Sequence, residues 1–484
     1  MVERTMDGRE QEPRHGGLVL EADEMRRLGH AAVDLIVERW TTLRDDPAWA
    51  GATREEMEAR FRETAPEEGS PPLEVMERAA KEVLQYAGRI DHPRFFAFVP
   101  SSPTWPTVMA DMLATGFNIF QGTWLESAGP SQIELVVLDW FRDWLGLPAT
   151  TGGIFTSGGS AANLYALVTA RASRGYSADA VLYQSDQAHS SLARAARIAG
   201  FRPDAVRSIS TDAEYRLDLD ALRQVIHRDR AAGLNPLLVT ANGGATNTGV
   251  VDPLRELGEL CREEGLWMHV DAAYGGFAVL TEEGRISLDG IDLADSVTLD
   301  PHKWLFQSYE TGCLLVRNTS DLDAAFSTSP EYLQDTQMGR DHVNFGERGL
   351  QLSRSFRALK VWMSIKSFGV GAFRSAIQAS IDLAREGERY VLDSTSLELL
   401  SPATLGVVCY RFDPPDHGLD PAGLEELNMR IQERIVASGY AMVSSTRLRG
   451  AYSLRICVMN YTSTLEDVLG TLRRVEEIGW ELLA

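Results

Sequence analysis

Four short apolar runs, each stopped by a polar or glycine-rich turn, mark the centre of the chain: VLYQSDQAH (181–189), PLLVTANGG (236–244), LWMHVDAAYGG (266–276) and CLLVRN (313–318). Stretches with helical spacing, such as DLDALRQVIHRDRAAG and DPLRELGELCREEG, lie between several of them. A strand that is apolar throughout must be covered on both faces. Alternation with helices provides that cover as a mainly parallel sheet wrapped by helices. The pattern therefore predicts an α/β fold. Ligands of such sheets sit beyond the carboxyl ends of the strands, where Ser185, Asp186, His189, Thr246 and Asp271 fall.

The flanks read differently. Residues 1–17 are polar and expected to be disordered. EADEMRRLGHAAVDLIVERWTTL then places Leu28, Ala31, Ala32, Leu35, Ile36 and Trp40 at helical spacing, predicting an amphipathic helix packed on a core. TAPEEGSPP (64–72) reads as a linker before a second helix near 73–87. A long helical region near 357–390 precedes shorter strands, LGVVCYRF and YSLRICVMN, which mix with helices as a small α+β domain. At 484 residues the chain exceeds what one core organises. We expect an N-terminal helical segment (1–89), a large domain (90–370) and a small C-terminal domain (371–484).

The 69 acidic against 47 basic residues give a net charge of -22, whose field repels nucleic acid and anionic membranes. A small anion can still be held by local dipoles. Cys261, Cys313, Cys409 and Cys457 lie far apart and read as reduced thiols, not as a disulfide frame or a metal site. No apolar run approaches the ~18 residues of a membrane span, so a soluble cytoplasmic protein is expected.

Chemistry concentrates in a few places. SVTLDPHKWLF (296–306) sets His302 and Lys303 among Val297, Leu299, Trp304, Leu305 and Phe306. A lysine in such company must be paired, neutralised, chemically used or snorkelling along apolar surface. Asp271 ends a strand-like run and is followed by Ala272 and Ala273, a floor suited to a flat heteroaromatic ring whose nitrogen needs an anionic partner. A turn or helix-cap aspartate has the same local signature. In TSGGSAANLYALVTAR (156–171), glycines and Ser160 precede a helix, the arrangement that binds phosphate oxygens through backbone N–H groups. His189 alone is equally a loop or cap residue. Together, an amine, a carboxylate for a ring nitrogen and an anion loop describe pyridoxal phosphate in a parallel α/β sheet.

At this point the sequence resembles the group II pyridoxal-phosphate-dependent amino acid decarboxylases, most like the aromatic L-amino acid decarboxylases. The resemblance runs from about residue 21 to the C-terminus. It is carried by HPRFFAFVPSS, SGGSAANLYAL, SDQAHSS, HVDAAYGG, DPHKWL, EYL and SRSFRALKVW. It implies a fold-type I architecture with a seven-stranded, mainly parallel sheet. It also implies that Lys303 carries the cofactor as an imine, Asp271 pairs with the ring nitrogen, and His189 stacks on one ring face with Ala273 on the other. Gly159 and Ser160 hold the phosphate, with His302 and Thr246 close by, and Tyr332 protonates the carbanion. Two positions depart from the pattern. Asp300 stands where many relatives carry Asn, and Gly158–Gly159 stand where animal enzymes have Ser–Ala.

Phe98, Trp124 and Ser353 match the family's substrate pocket. The two large apolar rings favour an aromatic substrate, because an acidic one needs a dedicated arginine. The serine points towards tyrosine, phenylalanine or DOPA, with tryptophan close behind. The alternatives are a decarboxylase of glutamate, cysteine sulfinate, aspartate or diaminobutyrate, an aromatic aldehyde synthase, or a non-catalytic relative acting as a scaffold. The resemblance further implies an obligate homodimer with the N-terminal helices wrapped around the partner.

Overall fold

A computed structural model describes residues 18–328, 331–336, 339 and 342–484, without the side chains of residues 331–333. The chain divides into two units, residues 1–88 and 89–484. The first carries the helix Ala22–Thr42, which no cap side chain starts. A shorter helix, Arg54–Phe61, opens on a capping box in which Thr53 and Glu56 satisfy each other's backbone N–H groups. The expected second helix spans Pro72–Arg78 and continues as a wider turn over Ala79–Val83. The expectation that the first helix packs on a core is corrected: none of its residues is buried, and its Met25 and Val37 are exposed.

The second unit is built on the predicted sheet. Its strands in chain order are β1 (Gly152–Thr156), β2 (Ala180–Ser185), β3 (Val206–Ile209), β4 (Asn235–Asn242), β5 (Trp267–Asp271), β6 (Ser296–Leu299) and β7 (Gly312–Val316). In space the order is β1-β7-β6-β5-β4-β2-β3. Every pairing is parallel except the two made by β7. Because β7 runs against both neighbours, β1 points the same way as β6. The carboxyl ends of β1, β2, β4, β5 and β6 therefore share one edge.

Local signals set the crossovers. Asp218 caps the helix Leu219–Ala231 by accepting the N–H groups of Asp220 and Ala221. The helix Leu254–Glu264 ends at Gly265, whose φ of 67° favours glycine. The four strands that read as apolar throughout, β2, β4, β5 and β7, are largely buried, and the pairing of β4, β5 and β6 places Asn242, Asp271 and Thr298 in one row. A long helix, Ala358–Asp393, breaks at Gly369 and leads to an antiparallel sheet. That sheet comprises β8 (Leu397–Thr404), β9 (Val407–Phe412), β10 (Ser444–Leu448) and β11 (Ala451–Cys457), ordered β10-β11-β9-β8. It has its own apolar core, in which Val408, Tyr410, Ile456 and Leu472 are fully buried. Among the described residues, no helix is long and apolar enough to cross a membrane.

Candidate active site

At the carboxyl edge of the large sheet lies a cavity of about 300 Å³. The eight residues expected from sequence to hold the cofactor line it: Gly159 and Ser160 after β1, His189 after β2, Thr246 after β4, Asp271 and Ala273 at the end of β5, and His302 and Lys303 after β6. The topology thus gathers groups up to 144 positions apart, from Gly159 to Lys303.

The turn carrying Lys303 is anchored by its apolar neighbours, not by the lysine. Trp304, Leu305 and Phe306 are fully or almost fully buried, and the Trp304 ring stacks on Tyr274 at 4.9 Å between centroids. Lys303 Nζ lies 3.2 Å from Asp300 Oδ2. The picture of a lysine in apolar company is therefore corrected: its neighbours face the core while the amine faces a carboxylate one turn back. Asp300 Oδ2 also lies 3.6 Å from His302 Nε2, and its Oδ1 is buried without a partner. Burial pushes His302 below the ordinary histidine range, and its Nδ1 pairs with the Thr311 carbonyl at 2.7 Å.

The anion loop is shaped by close approach. A methyl group on Gly159 would come within 3.1 Å of both Ala273 Cβ and Asp300 Oδ2. The helix Gly159–Ser173 begins its own hydrogen bonding at the Ala161 N–H, which leaves the amides of Gly159 and Ser160 outside its ladder. Asp271 is buried and doubly hydrogen-bonded: Oδ2 accepts from Asn163 Nδ2 (2.8 Å), and Oδ1 accepts from the Ala273 N–H (3.2 Å). His189 is the cap of the helix Ser190–Ile198, and its Nδ1 lies 2.8 Å from Ser191 Oγ.

Asn163, Asn242 and Asp300 line the same cavity, yet sequence reading gave the two asparagines no role. The available signal was their position: Asn163 sits one turn beyond Gly159, and Asn242 sits beside Asp271 in the β4–β5 pairing. Asn242 donates to Ser185 Oγ (2.9 Å) and to the buried Asp252 (3.1 Å).

The proposed pocket residues are not part of this cavity. Phe98 is 62 % exposed with φ of 56°. Trp124 opens the helix Trp124–Trp144, where its N–H donates to Asn344 Oδ1 at 2.9 Å and its ring meets His342 edge-on. Ser353 is exposed. Tyr332 falls in the turn Glu331–Thr336, and its side chain lies outside the described residues.

Pyridoxal phosphate fits the residues present. The glycine space and the amides outside the ladder suit a phosphate, and the buried ionisable Asp271 suits a protonated ring nitrogen. The small Ala273 leaves room for a flat ring, and Lys303 offers the amine.

Comparison with known proteins agrees. The pyridoxal-dependent decarboxylase conserved domain matches residues 55–413. An aromatic-L-amino-acid decarboxylase of Bacillus atrophaeus is 41% identical over 468 residues, covering 96% of this chain and 97% of that one. A phenylacetaldehyde synthase of Petunia hybrida is 31% identical over 460 residues, covering 91% of each. The crystal structure of Catharanthus roseus tryptophan decarboxylase in complex with L-tryptophan superposes with a TM-score of 0.89 at 30% identity, covering 96% of this chain and 99% of that one. A match of this extent, on a cavity of this chemistry, makes the chain a member of the pyridoxal-dependent decarboxylase family and a pyridoxal-phosphate-dependent carboxy-lyase acting on amino acids.

Proposed function

We propose that this enzyme decarboxylates an aromatic L-amino acid to the amine and CO2, in the cytoplasm. The observation that carries the reading is the 41% identity to an aromatic-L-amino-acid decarboxylase over nearly the whole of both chains. Tyrosine, phenylalanine, DOPA and tryptophan are the candidates, with Phe98, Trp124 and Ser353 as the residues that select among them.

When bound, the cofactor supplies an electron sink for the pair left as the Cα–carboxylate bond breaks. The chain's residues do the rest. Lys303 holds the cofactor and releases the product by returning its amine. Asp271, buried and hydrogen-bonded at both oxygens, would face the ring nitrogen and favour its protonated form. His189 and Ala273 would flank the ring, while Gly159 and Ser160 would hold the phosphate with His302 and Thr246 nearby. Residues placed on both faces and at the phosphate would hold the cofactor in one orientation, against which the substrate's Cα–carboxylate bond could be aligned. Tyr332 delivers the proton to Cα.

The proton donor also bears on a second reading, oxidative release of an aldehyde, which the likeness to a phenylacetaldehyde synthase favours. A tyrosine at position 332 supports reprotonation over reaction with oxygen. We further propose a homodimer. The unburied apolar stripe of the helix Ala22–Thr42 and the exposed Met112, Leu113, Phe117 and Leu125 support it, since a lone soluble chain rarely leaves such surface bare.

One substrate panel tests the reading. Purified enzyme is given tyrosine, phenylalanine, DOPA, tryptophan, glutamate, aspartate, cysteine sulfinate and diaminobutyrate, following CO2, amine and peroxide. CO2 with an equal amount of aromatic amine is expected. Turnover of acidic substrates alone would overturn the aromatic assignment, and peroxide equal to CO2 would overturn simple decarboxylation.

A further inference from the structure

The Asn163 carboxamide is 1 % exposed, and all four of its hydrogen-bonding positions are used. Nδ2 donates to Asp271 Oδ2 (2.8 Å) and to Ser191 Oγ (2.9 Å). Oδ1 accepts from Thr298 Oγ1 (2.7 Å) and faces His269 Nε2 (3.0 Å). Valence settles the direction of every bond around it. Oδ1 has only lone pairs to offer, so His269 must carry its proton on Nε2. The ring is fully buried, and burial holds it down to about 4, so at neutral pH its Nδ1 is bare. Nδ1 then accepts from the Ser296 hydroxyl (2.9 Å), whose oxygen takes the Trp267 indole N–H (2.8 Å).

The second arm is equally determined. Ser191 Oγ, already accepting from Asn163, donates its own proton to His189 Nδ1 (2.8 Å). The same Nδ1 accepts the Ser191 backbone N–H (3.3 Å), which fixes the His189 proton on Nε2. At the far end Asp271 meets a donor at each oxygen, the Asn163 amide at Oδ2 and the Ala273 N–H at Oδ1. Hydrogen bonds of this kind favour the charged form of a carboxyl group.

We propose that Asn163 is a positioning residue that orients the Asp271 carboxyl group directly and, by holding Ser191 Oγ as a donor to His189 Nδ1, supports the Nε2–H tautomer that the Ser191 backbone N–H also favours, so that one buried amide touches the placement of both groups flanking the cofactor ring. This rests on the reading that Asp271 pairs with the ring nitrogen. A chain of donors running from Trp267 through Ser296 and His269 holds the amide from behind. Rotating the amide by half a turn would set its oxygen against the Asp271 carboxylate, so the donors on Oδ1 keep it from flipping.

The test uses cofactor-loaded wild type, Asn163→Asp, Asn163→Ala, His269→Gln, His269→Ala and Asp271→Asn. Each is assayed for kcat, KM and the pH dependence of the visible absorption of the bound cofactor. Asn163→Asp places a second carboxylate against Asp271. It is expected to lower kcat about 10- to 100-fold, the range seen when an orienting partner of a charged group is lost, with KM within about threefold of wild type. The absorption titration should move in the same variant. His269→Gln keeps an N–H for Asn163 and should retain more activity than His269→Ala. Unchanged kcat and titration in both Asn163 variants, alongside a strong Asp271→Asn effect, would overturn the positioning role alone. A silent Asp271→Asn would instead overturn the ring-nitrogen reading. Nitrogen-15 spectra of histidine-labelled wild type decide the matter even if the variants do not fold. His189 and His269 are expected as Nε2–H tautomers, and a proton on Nδ1 of either would overturn the proposal.

Discussion

Two buried groups near the cavity set opposing dependences of stability on pH. Burial holds His269 down to about 4, against an ordinary value of 6.5. The unfolded chain therefore binds that proton first, and stability is lost as pH falls between the two values. The gap of about 2.5 pH units, at about 1.4 kcal/mol each, corresponds to about 3.5 kcal/mol. Asp252 is its mirror. Burial pushes its carboxyl up to about 6 from 3.8, although it accepts the N–H groups of Asn242 and Leu217. Here the folded chain binds the proton first, so stability is gained as pH falls from about 6 to 3.8, by about 3 kcal/mol. In the wild type the two contributions nearly cancel. Urea-unfolding midpoints at pH 7, 6, 5 and 4, for wild type, His269→Gln and Asp252→Asn, separate them. Relative to wild type, the His269→Gln midpoint should rise with acidification and the Asp252→Asn midpoint should fall. Three parallel profiles would refute the assignment of both buried groups.

Asp300→Asn removes the carboxylate that flanks the anion loop and pairs with Lys303. Cofactor retention on dialysis should improve several-fold by loss of like charge beside the phosphate, whereas weaker retention would mean that the pairing with Lys303 matters more. Glu134→Gln breaks the buried ion pair with Arg354, whose Nη2 lies 2.7 Å from Glu134 Oε1, and should cost about 3–5 kcal/mol. A thermal melt unchanged within about 2 °C would contradict this. Lys303→Ala should abolish both decarboxylation and the visible absorption of lysine-bound cofactor, while the far-ultraviolet circular dichroism stays that of wild type.

What could be read from the sequence was whatever local chemistry dictates. The strands around Val239 and Val270 announce themselves because burial on both faces forces unbroken apolar runs. Lys303, Asp271 and the Gly159 loop are recognisable because their residue types are unusual for their positions. Asn163 and His269 were invisible for the opposite reason. A polar residue on the inner face of a helix or within a strand declares no role until topology brings its partners together from 27 to 135 positions away. The apolar neighbours of Lys303 misled in one respect, since spacing along the chain does not reveal that Asp300 turns back onto the amine. The stripe on the helix Ala22–Thr42 misled likewise: it specifies a face to be covered without saying by what.

The start of β7 carries no cavity-lining residue, yet it shapes two walls of the cavity. A methyl group on Gly312 would come within 2.4 Å of the Gly158 backbone, and the Thr311 carbonyl fixes the His302 ring. The anion loop and the histidine thus share one hidden template, the edge of the single strand that runs against the sheet. Libraries that randomise only the visible pocket would never touch it. Substitution at Gly312 is a route to altering cofactor grip while every lining side chain keeps its identity.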